Sequence, residues 1–595
     1  MTAAIRKTET AGKAGATAKT PFAHTDGVGR VGVAEGSLLC VFFLGAILRI
    51  VGVWMPVNQQ SWRESDVAAI ARNYYREGMN PFYPRIDWRG DGPGYAEMEF
   101  PVLPWLMAVS YKLFGYNEVV GRLLSYVLSL LALYGFIRAA QHLLPEVPAI
   151  AASIFFALSP LVIGISKSLQ PEGLMFACYI WAVYAFIRWL DDDSWKYFTL
   201  AIGATALSIL AKATAAHLGF LFAVLLLRRN GFSSLRDYRT WVFAGFSLLP
   251  ALAWYMHAHR FFVVFGNSLG VSNEYHWVGW DFFTNPAFIT GIARSELFYV
   301  WTPVGVAVAA IGLLYRPDKE GTVLSLAWLC SVFCFFILAA RTTSSAWAAY
   351  YHVVSVPAVA LLFGIGVASI QRLLPGRGLV RFILVSGVAA GALALVAGNL
   401  GITASSVTRV ATSGRRVVMA LLAAAVLSTA IAVFKKLRSA KNLVSWVRMQ
   451  TVREGVGYAA LICIPVAFLL LGRATSYGER PSKLFVCAKS FAPLLSDNGL
   501  ILASGGLSKD PTGHSLAFNI SYMFYWLDRK GFNICVEDQT LDEVRSFSQR
   551  GAHYFVAEKR ELNRKPGFEA ELRGQYPVLA DCGDALLFRI SPANP

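Results

Sequence analysis

Apolar runs of about twenty residues recur along this chain, and no other feature limits its fold so tightly. A helix of that length rises 1.5 Å per residue and crosses the roughly 30 Å hydrocarbon core of a bilayer. Thirteen such segments are legible in the 595 residues: 35–57, 118–140, 147–166, 171–190, 196–211, 213–229, 241–260, 295–315, 321–340, 350–371, 380–403, 415–434 and 455–474. Lipid offers no hydrogen bonds to the backbone, so each segment is expected to be a helix. Composition agrees, with 55% of residues apolar and 15% charged, against about 25% charged in a soluble domain. A soluble fold of this size would leave too much apolar surface in water. Residues 1–34, rich in Ala, Thr and Gly, read as a disordered tail. The first apolar segment starts late and lacks a small-residue cleavage site near 53–60, so it reads as an uncleaved anchor.

The formal charge is +17, from 54 Lys+Arg and 37 Asp+Glu. A basic excess raises nucleic acid as a partner. Its distribution argues otherwise. With residue 1 in the cytosol, the tail and the segments 138–146, 188–196, 228–240, 316–320, 372–381 and 435–454 fall inside and hold most of the excess. That is the positive-inside bias of a membrane protein, not a nucleic-acid footprint. The long loops 58–101 and 261–294 then face outside, as does everything after 474.

Residues 475–595 change character. Apolar runs shorten to strand length at 500–504, 532–536, 554–556 and 585–590, with amphipathic stretches at 515–530 and 541–550. The alternation reads as a small α/β domain. Three cysteines, Cys487, Cys535 and Cys582, allow one internal disulfide at most, with reduced buried thiols as the equal alternative. The other five, Cys40, Cys178, Cys330, Cys334 and Cys463, lie in apolar segments and read as small core residues. Gly505-Gly506 is too short for a dinucleotide fingerprint.

The outer loop 58–101 is long for a connection between spanning helices, and loops of that length are often functional. The spacing of Val67, Ile70 and Tyr74 predicts a helix over 66–76 lying along the membrane surface. The aromatic stretch 101–114 predicts a second, with Trp105 and Tyr111 at headgroup level. Three acids stand out: Asp66 at the start of the first helix, Glu99 just before Pro101, and Glu172 opening the fourth spanning helix. Ionisable groups near membrane depth are costly, so they are functional or paired. Each has a plainer reading: a helix cap for Asp66, a charge favoured at a helix N-terminus for Glu172, a solvated loop acid for Glu99. Cations accompany them on the same side. Lys212 ends the fifth spanning helix, Arg294 precedes the eighth, Arg341 ends the ninth, and Tyr351 and His352 open the tenth. Snorkelling to the headgroups is the plain alternative for Lys212 and Arg341, and a satisfied structural role for His352. The Asp run 191–193 falls on the cytosolic side and reads as a solvated turn.

On these residues the chain resembles the integral-membrane glycosyltransferases of the GT-C superfamily. Within it, the likeness is to the bacterial protein O-mannosyltransferases and lipid A aminoarabinose transferases. It covers roughly 35–474, plus the outer C-terminal domain. Asp66 matches the acid early in the first outer loop, and Glu99, in EFPVLPWL, the acid beside a Pro before a short helix. KLFGYNEVVGRLLS at 112–125 matches a KLFGxxExxxRLxS pattern. Glu172 matches the acid opening the fourth helix, residues 210–212 a Leu-x-Lys element, and Tyr351 with Pro357 a Tyr/Pro element. Phe100 stands where relatives often carry Lys, Ala213 where they carry Gly, and Ala69 and Ile70 where an Arg-Tyr pair is usual. The phosphate-binding set is therefore expected to be rearranged.

The resemblance implies a polytopic α-helical GT-C fold of about 13 transmembrane helices over 35–474. It places interfacial helices in the first periplasmic loop (58–117) and a periplasmic α/β domain at 475–595. It implies the bacterial inner membrane with a cytosolic N-terminus, and membrane lipids as surroundings. The donor is a polyprenyl-phosphate sugar, and the acceptor a hydroxyl on a lipid, glycan or protein. Asp66 takes the role of base, and Glu99 and Glu172 hold hydroxyls or tune it. By the same resemblance Lys212, Arg341, Arg294, His352 and Tyr351 are the residues expected around the donor phosphate. No cofactor is required, although Asp66 and Glu99 are placed to share a divalent cation. A transporter or channel would favour midplane charges and inverted repeats. A polysaccharide polymerase or ligase would share the lipid-linked donor. Charges gathered at the outer face beside a long loop favour the transferase.

Overall fold

The computed structural model describes residues 31–373 and 481–591, except 275–276, 316–317, 496–497 and 512. The expected spans 380–403, 415–434 and 455–474 lie outside the described residues. In chain order the helices are α1 (Val31–Ile50), α2 (Trp62–Glu77), α3 (Val102–Phe114), α4 (Glu118–Leu143), α5 (Glu146–Leu158), α6 (Pro160–Ile165), α7 (Glu172–Asp192) and α8 (Trp195–Ala211). A tight 3-10 turn, Ala213–His217, leads into α9 (Leu218–Asn230), followed by α10 (Tyr238–Phe265). The remainder are α11 (Trp280–Phe283), α12 (Pro286–Ser295), α13 (Pro303–Tyr315), α14 (Lys319–Leu338), α15 (Ala340–Thr343) and α16 (Val356–Leu373). The chain is a polytopic α-helical membrane protein. Five described stretches are long and apolar enough to cross a bilayer: Glu118–Leu143, Glu172–Asp192, Ala213–Arg236, Lys319–Leu338 and Ala348–Ile370.

Two expected spans are broken, each for a local reason. Pro160 has no N–H to continue α5, so 147–166 divides into α5 and α6. The buried Arg49 of α1 donates to the Ala157 carbonyl at this break, at 2.7 Å. Residues 295–315 divide at Thr302, whose φ of 59° is unfavourable for a β-branched residue. A π-helical turn, Glu296–Trp301, precedes it and α13 follows. On the opposite side of the bundle the Asp run 191–193 is not a uniformly solvated turn, because Asp191 pairs with His142 at 2.8 Å and its side chain is 3% exposed.

The loop 58–101 departs from expectation in two ways. α2 begins four residues early, because Ser61 caps it and accepts the Glu64 N–H at 3.2 Å. Asp66 therefore sits in the second turn and caps nothing. α2 is also enclosed by protein along its length: every residue from Arg63 to Tyr74 is buried. α3 packs on it, as does the C-terminal helix Tyr522–Leu527. Tyr111 is buried instead of facing headgroups, and Trp105 donates to the Met79 carbonyl at 2.8 Å. The stretch 112–125 acts as a staple. Glu118 accepts the Val57 N–H and the Tyr525 hydroxyl, each at 2.7 Å. Arg122 donates to the Met55 and Pro56 carbonyls and pairs with Glu64 at 3.0 Å. Together they fix the linker that leads into α2.

The C-terminal region holds a five-stranded sheet of β1 (Leu500–Ser504), β2 (Gly531–Ile534), β3 (Ala552–Glu558), β4 (Val578–Asp581) and β5 (Ala585–Arg589), ordered β2-β1-β3-β5-β4. β1 pairs in parallel with β2 and β3, while β5 runs antiparallel to β3 and β4. The amphipathic stretch 515–530 supplies only the short helix Tyr522–Leu527. Cys487 and Cys582 form a disulfide across 95 residues, and Cys535 is a buried free thiol. Closing a loop of that length restricts the unfolded chain by roughly 4–5 kcal/mol in the chain-entropy account. Cys582→Ala is expected to lower the melting temperature of the full chain. A reductant should bring the wild type down to the same value and leave the variant unmoved.

Candidate active site

α2 presents Arg63 and Asp66 three residues apart, on one face. Glu99 arrives on the extended segment before α3, and Glu172 forms the first turn of α7. Lys212 sits at the end of α8, where the chain leaves the helix in an extended conformation before the 3-10 turn. All five side chains are buried: Asp66 is 1% exposed, Glu172 0% and Lys212 8%.

Two ion pairs form. Arg63 pairs with Glu99, and Lys212 with Glu172. The Lys212 ammonium also stands 4.0 Å above the Tyr351 ring and 5.2 Å from that of Tyr350, a cation–π arrangement. Arg63 interacts electrostatically with Asp66, Glu99 and Tyr351, and Lys212 with Arg63 and Glu99. Arg63, Asp66, Glu99, Glu172, Lys212 and Tyr351 thus form one cluster. Among the described residues, Glu99 Oε1 and Glu172 Oε2 are buried without a hydrogen-bond partner. A buried carboxylate oxygen left in that state costs about 1–3 kcal/mol or more, which a substrate hydroxyl would recover.

Asp66 is held differently. Its Oδ1 accepts the Trp88 indole N–H at 2.9 Å. Burial pushes its carboxyl up to about 7, against the opposing pull of the Trp88 indole and the Arg63 guanidinium; Asp87 and Glu99 add to the rise. A carboxylate with an affinity near neutrality suits proton abstraction.

The remaining expected cations have other partners or are exposed. Arg341 pairs with Glu274 at 2.6 Å. His352 is fully buried, with Nδ1 2.7 Å from Glu296 and Nε2 donating to the Thr343 carbonyl at 2.8 Å, as a structural histidine would be. Arg294 is exposed on α12. Two members of the cluster were not anticipated. Arg63 had a signal, its three-residue spacing from Asp66. Trp88 had none, because its role depends on the loop folding back over α2.

Among the described residues, no group of three His, Cys, Asp or Glu side chains converges as a metal site. Asp66 and Glu99 would supply two of the six to eight oxygens that a calcium-like ion takes, and Arg63 already occupies Glu99.

The architecture is the GT-C fold of membrane glycosyltransferases. The dolichyl-phosphate-mannose-protein mannosyltransferase family matches residues 93–257, a stretch that holds Glu99, Glu172 and Lys212. The solved structure of ArnT from Cupriavidus metallidurans in the apo state superimposes with a TM-score of 0.61 at 16% identity, covering 95% of this chain and 100% of that one. ArnT from the same organism bound to undecaprenyl phosphate gives 0.60 at 16% identity, covering 94% and 100%. No curated protein sequence matches the chain.

Proposed function

We propose that the chain transfers a sugar from a polyprenyl-phosphate donor to an acceptor hydroxyl at the outer face of a bacterial inner membrane. One observation carries the reading. A buried carboxylate, Asp66, is held by an indole rather than by a cation, beside two ion pairs that each keep a spare carboxylate oxygen. The family match over 93–257 and the undecaprenyl phosphate in the ArnT neighbour support the same donor class.

The chemistry follows from those groups. The acceptor hydroxyl gives its proton to Asp66 as its oxygen bonds to carbon one of the sugar. The bond from carbon one to the phosphate oxygen breaks, and the electron pair leaves with the polyprenyl phosphate. That leaving group needs positive charge more than a proton, and charge-assisted contacts from Lys212 and Arg63 supply it. Glu99 and Glu172 accept hydroxyls of the sugar or acceptor through their spare oxygens. Arg341 and His352 pair with Glu274 and Glu296, neither of which belongs to the Asp66 cluster, and this reading gives them no part in the step.

The test uses the full chain in liposomes with radiolabelled polyprenyl-phosphate sugars and a bacterial membrane extract. Label is expected to move from the donor to a new lipid, glycan or protein product as free polyprenyl phosphate accumulates. Solute flux across the liposomes with no transfer from any such donor would replace the transferase with a transporter.

A further inference from the structure

The C-terminal domain grips the two segments that define Asp66, mostly through one short stretch, 521–531, with Arg550 adding a contact to Asp91 at 3.2 Å. β2 is an edge strand, and edge strands seek pairing. Here the outer loop pairs with its first residue: Gly531 N–H donates to the Asp87 carbonyl at 3.1 Å, and Gly90 N–H donates to the Gly531 carbonyl at 2.6 Å. Both glycines are needed, Gly531 for its packing on β1 within the sheet and Gly90 for the approach of the loop to β2. A Cβ on Gly531 would stand 1.7 Å from the Ile501 carbonyl oxygen. One on Gly90, where φ is +61°, would stand 2.3 Å from the Phe532 ring.

The side chains repeat the grip. Lys530 Nζ is 2.6 Å from Asp87 Oδ1 and also donates to Asn73 of α2. Asp87 is 1% exposed, pairs with Arg72 of α2 and accepts the Asn73 amide at 2.9 Å. Arg72 and Arg76 both reach Asp528 at 2.8 Å, the Ser521 hydroxyl donates to the Trp62 carbonyl, and Gln60 donates to the Tyr522 hydroxyl at 3.0 Å. α2 carries Asp66, and the residue after Asp87 is Trp88, the donor on its carboxylate. Both halves of that hydrogen bond are thus referenced to the same element.

We propose that the C-terminal domain positions Asp66: Lys530 and Gly531 clamp Asp87, and the clamp fixes the Trp88 indole against the Asp66 carboxylate. Lys530 and Trp88 are positioning residues, since neither is placed against a reacting atom. The proposal gains its catalytic meaning from the reading of Asp66 as base. The charged groups facing Asp66 are Arg63 on its own helix and Asp87 and Glu99 on the loop. Trp88 lowers the proton affinity of Asp66, so loosening Trp88 raises it.

The readout needs no substrate. Thermal unfolding of the full chain in detergent is followed from pH 5 to 9, and each protein is compared with its own Asp66→Asn derivative. The difference isolates the titration of Asp66, with a wild-type midpoint near 7. Trp88→Phe and Lys530→Met are each expected to move that midpoint up by about one pH unit, the size of one hydrogen bond to a charged group. Lys530→Arg should restore it, and Lys530→Gln carries the same comparison if Lys530→Met does not fold. A Lys530→Met or Lys530→Gln midpoint that coincides with the wild type, while Trp88→Phe moves, overturns the positioning and leaves Asp66 as base. Sugar transfer that survives in Asp66→Asn overturns the base and leaves a shifted midpoint standing.

Discussion

Asp66→Asn is expected to abolish sugar transfer and to make the protein more stable. The amide keeps the size of the carboxylate and an oxygen for the Trp88 indole, but it cannot take a proton from the acceptor. The stability gain follows from burial. The folded-state proton affinity of Asp66 lies at about 7, above its ordinary 3.8. Between those values the folded chain binds the proton more tightly than the unfolded chain, so stability falls as pH rises. Above about pH 7 the full penalty is present, at most about 4 kcal/mol by linkage. The melting temperature of Asp66→Asn should therefore exceed that of the wild type at pH 8, and the gap should close toward pH 4. The transfer rate of the wild type should rise through about pH 7 as Asp66 ionises. A variant that is inactive but no more stable at pH 8 would mean that Asp66 is not held as a strained carboxylate. Gains of this kind are common where a buried charge serves function rather than folding.

The second large effect is on Lys212. Lys212→Met leaves the carboxylate of Glu172, 0% exposed, without its cation. Removing one partner of a buried pair costs about 3–5 kcal/mol, much of it from the orphaned charge. Adding Glu172→Leu removes that orphan. The double variant is expected to regain most of the wild-type melting temperature and none of the transfer, because the phosphate has lost one of its two cations and the sugar or acceptor the spare oxygen of Glu172. Transfer restored along with stability would remove Lys212 from the donor site and leave the pair a structural role.

Much of the cluster was legible because it violates its surroundings. Asp66, Glu99, Glu172 and Lys212 are charges at the margins of apolar segments, and topology alone placed them on one side. Arg341 and His352 carried the same signal but pair with Glu274 and Glu296 rather than with the acids of the cluster, and hydropathy does not record which acid a cation meets. Arg63 was hidden among the arginines of an outer loop with no contrast in polarity. Trp88, Asp87 and Lys530 were out of reach, since the contact of Lys530 with Asp87 joins residues 443 positions apart. The α2 boundary, by contrast, was available: Ser61 and Glu64 have capping-box spacing, which outranks the hydrophobic spacing that put the start at 66. The broken spans followed from one proline and from a strained Thr302. β4, exposed at alternate positions, has no apolar run to mark it.

The central claim is a single displacement on a polyprenyl-phosphate sugar with Asp66 as its one base. The anomeric configuration of the transferred sugar, read by NMR against that of the donor, tests it most directly. One displacement inverts carbon one, whereas a covalent glycosyl-enzyme intermediate would require a second and retain it. Inversion is the expected result, and retention would contradict the account.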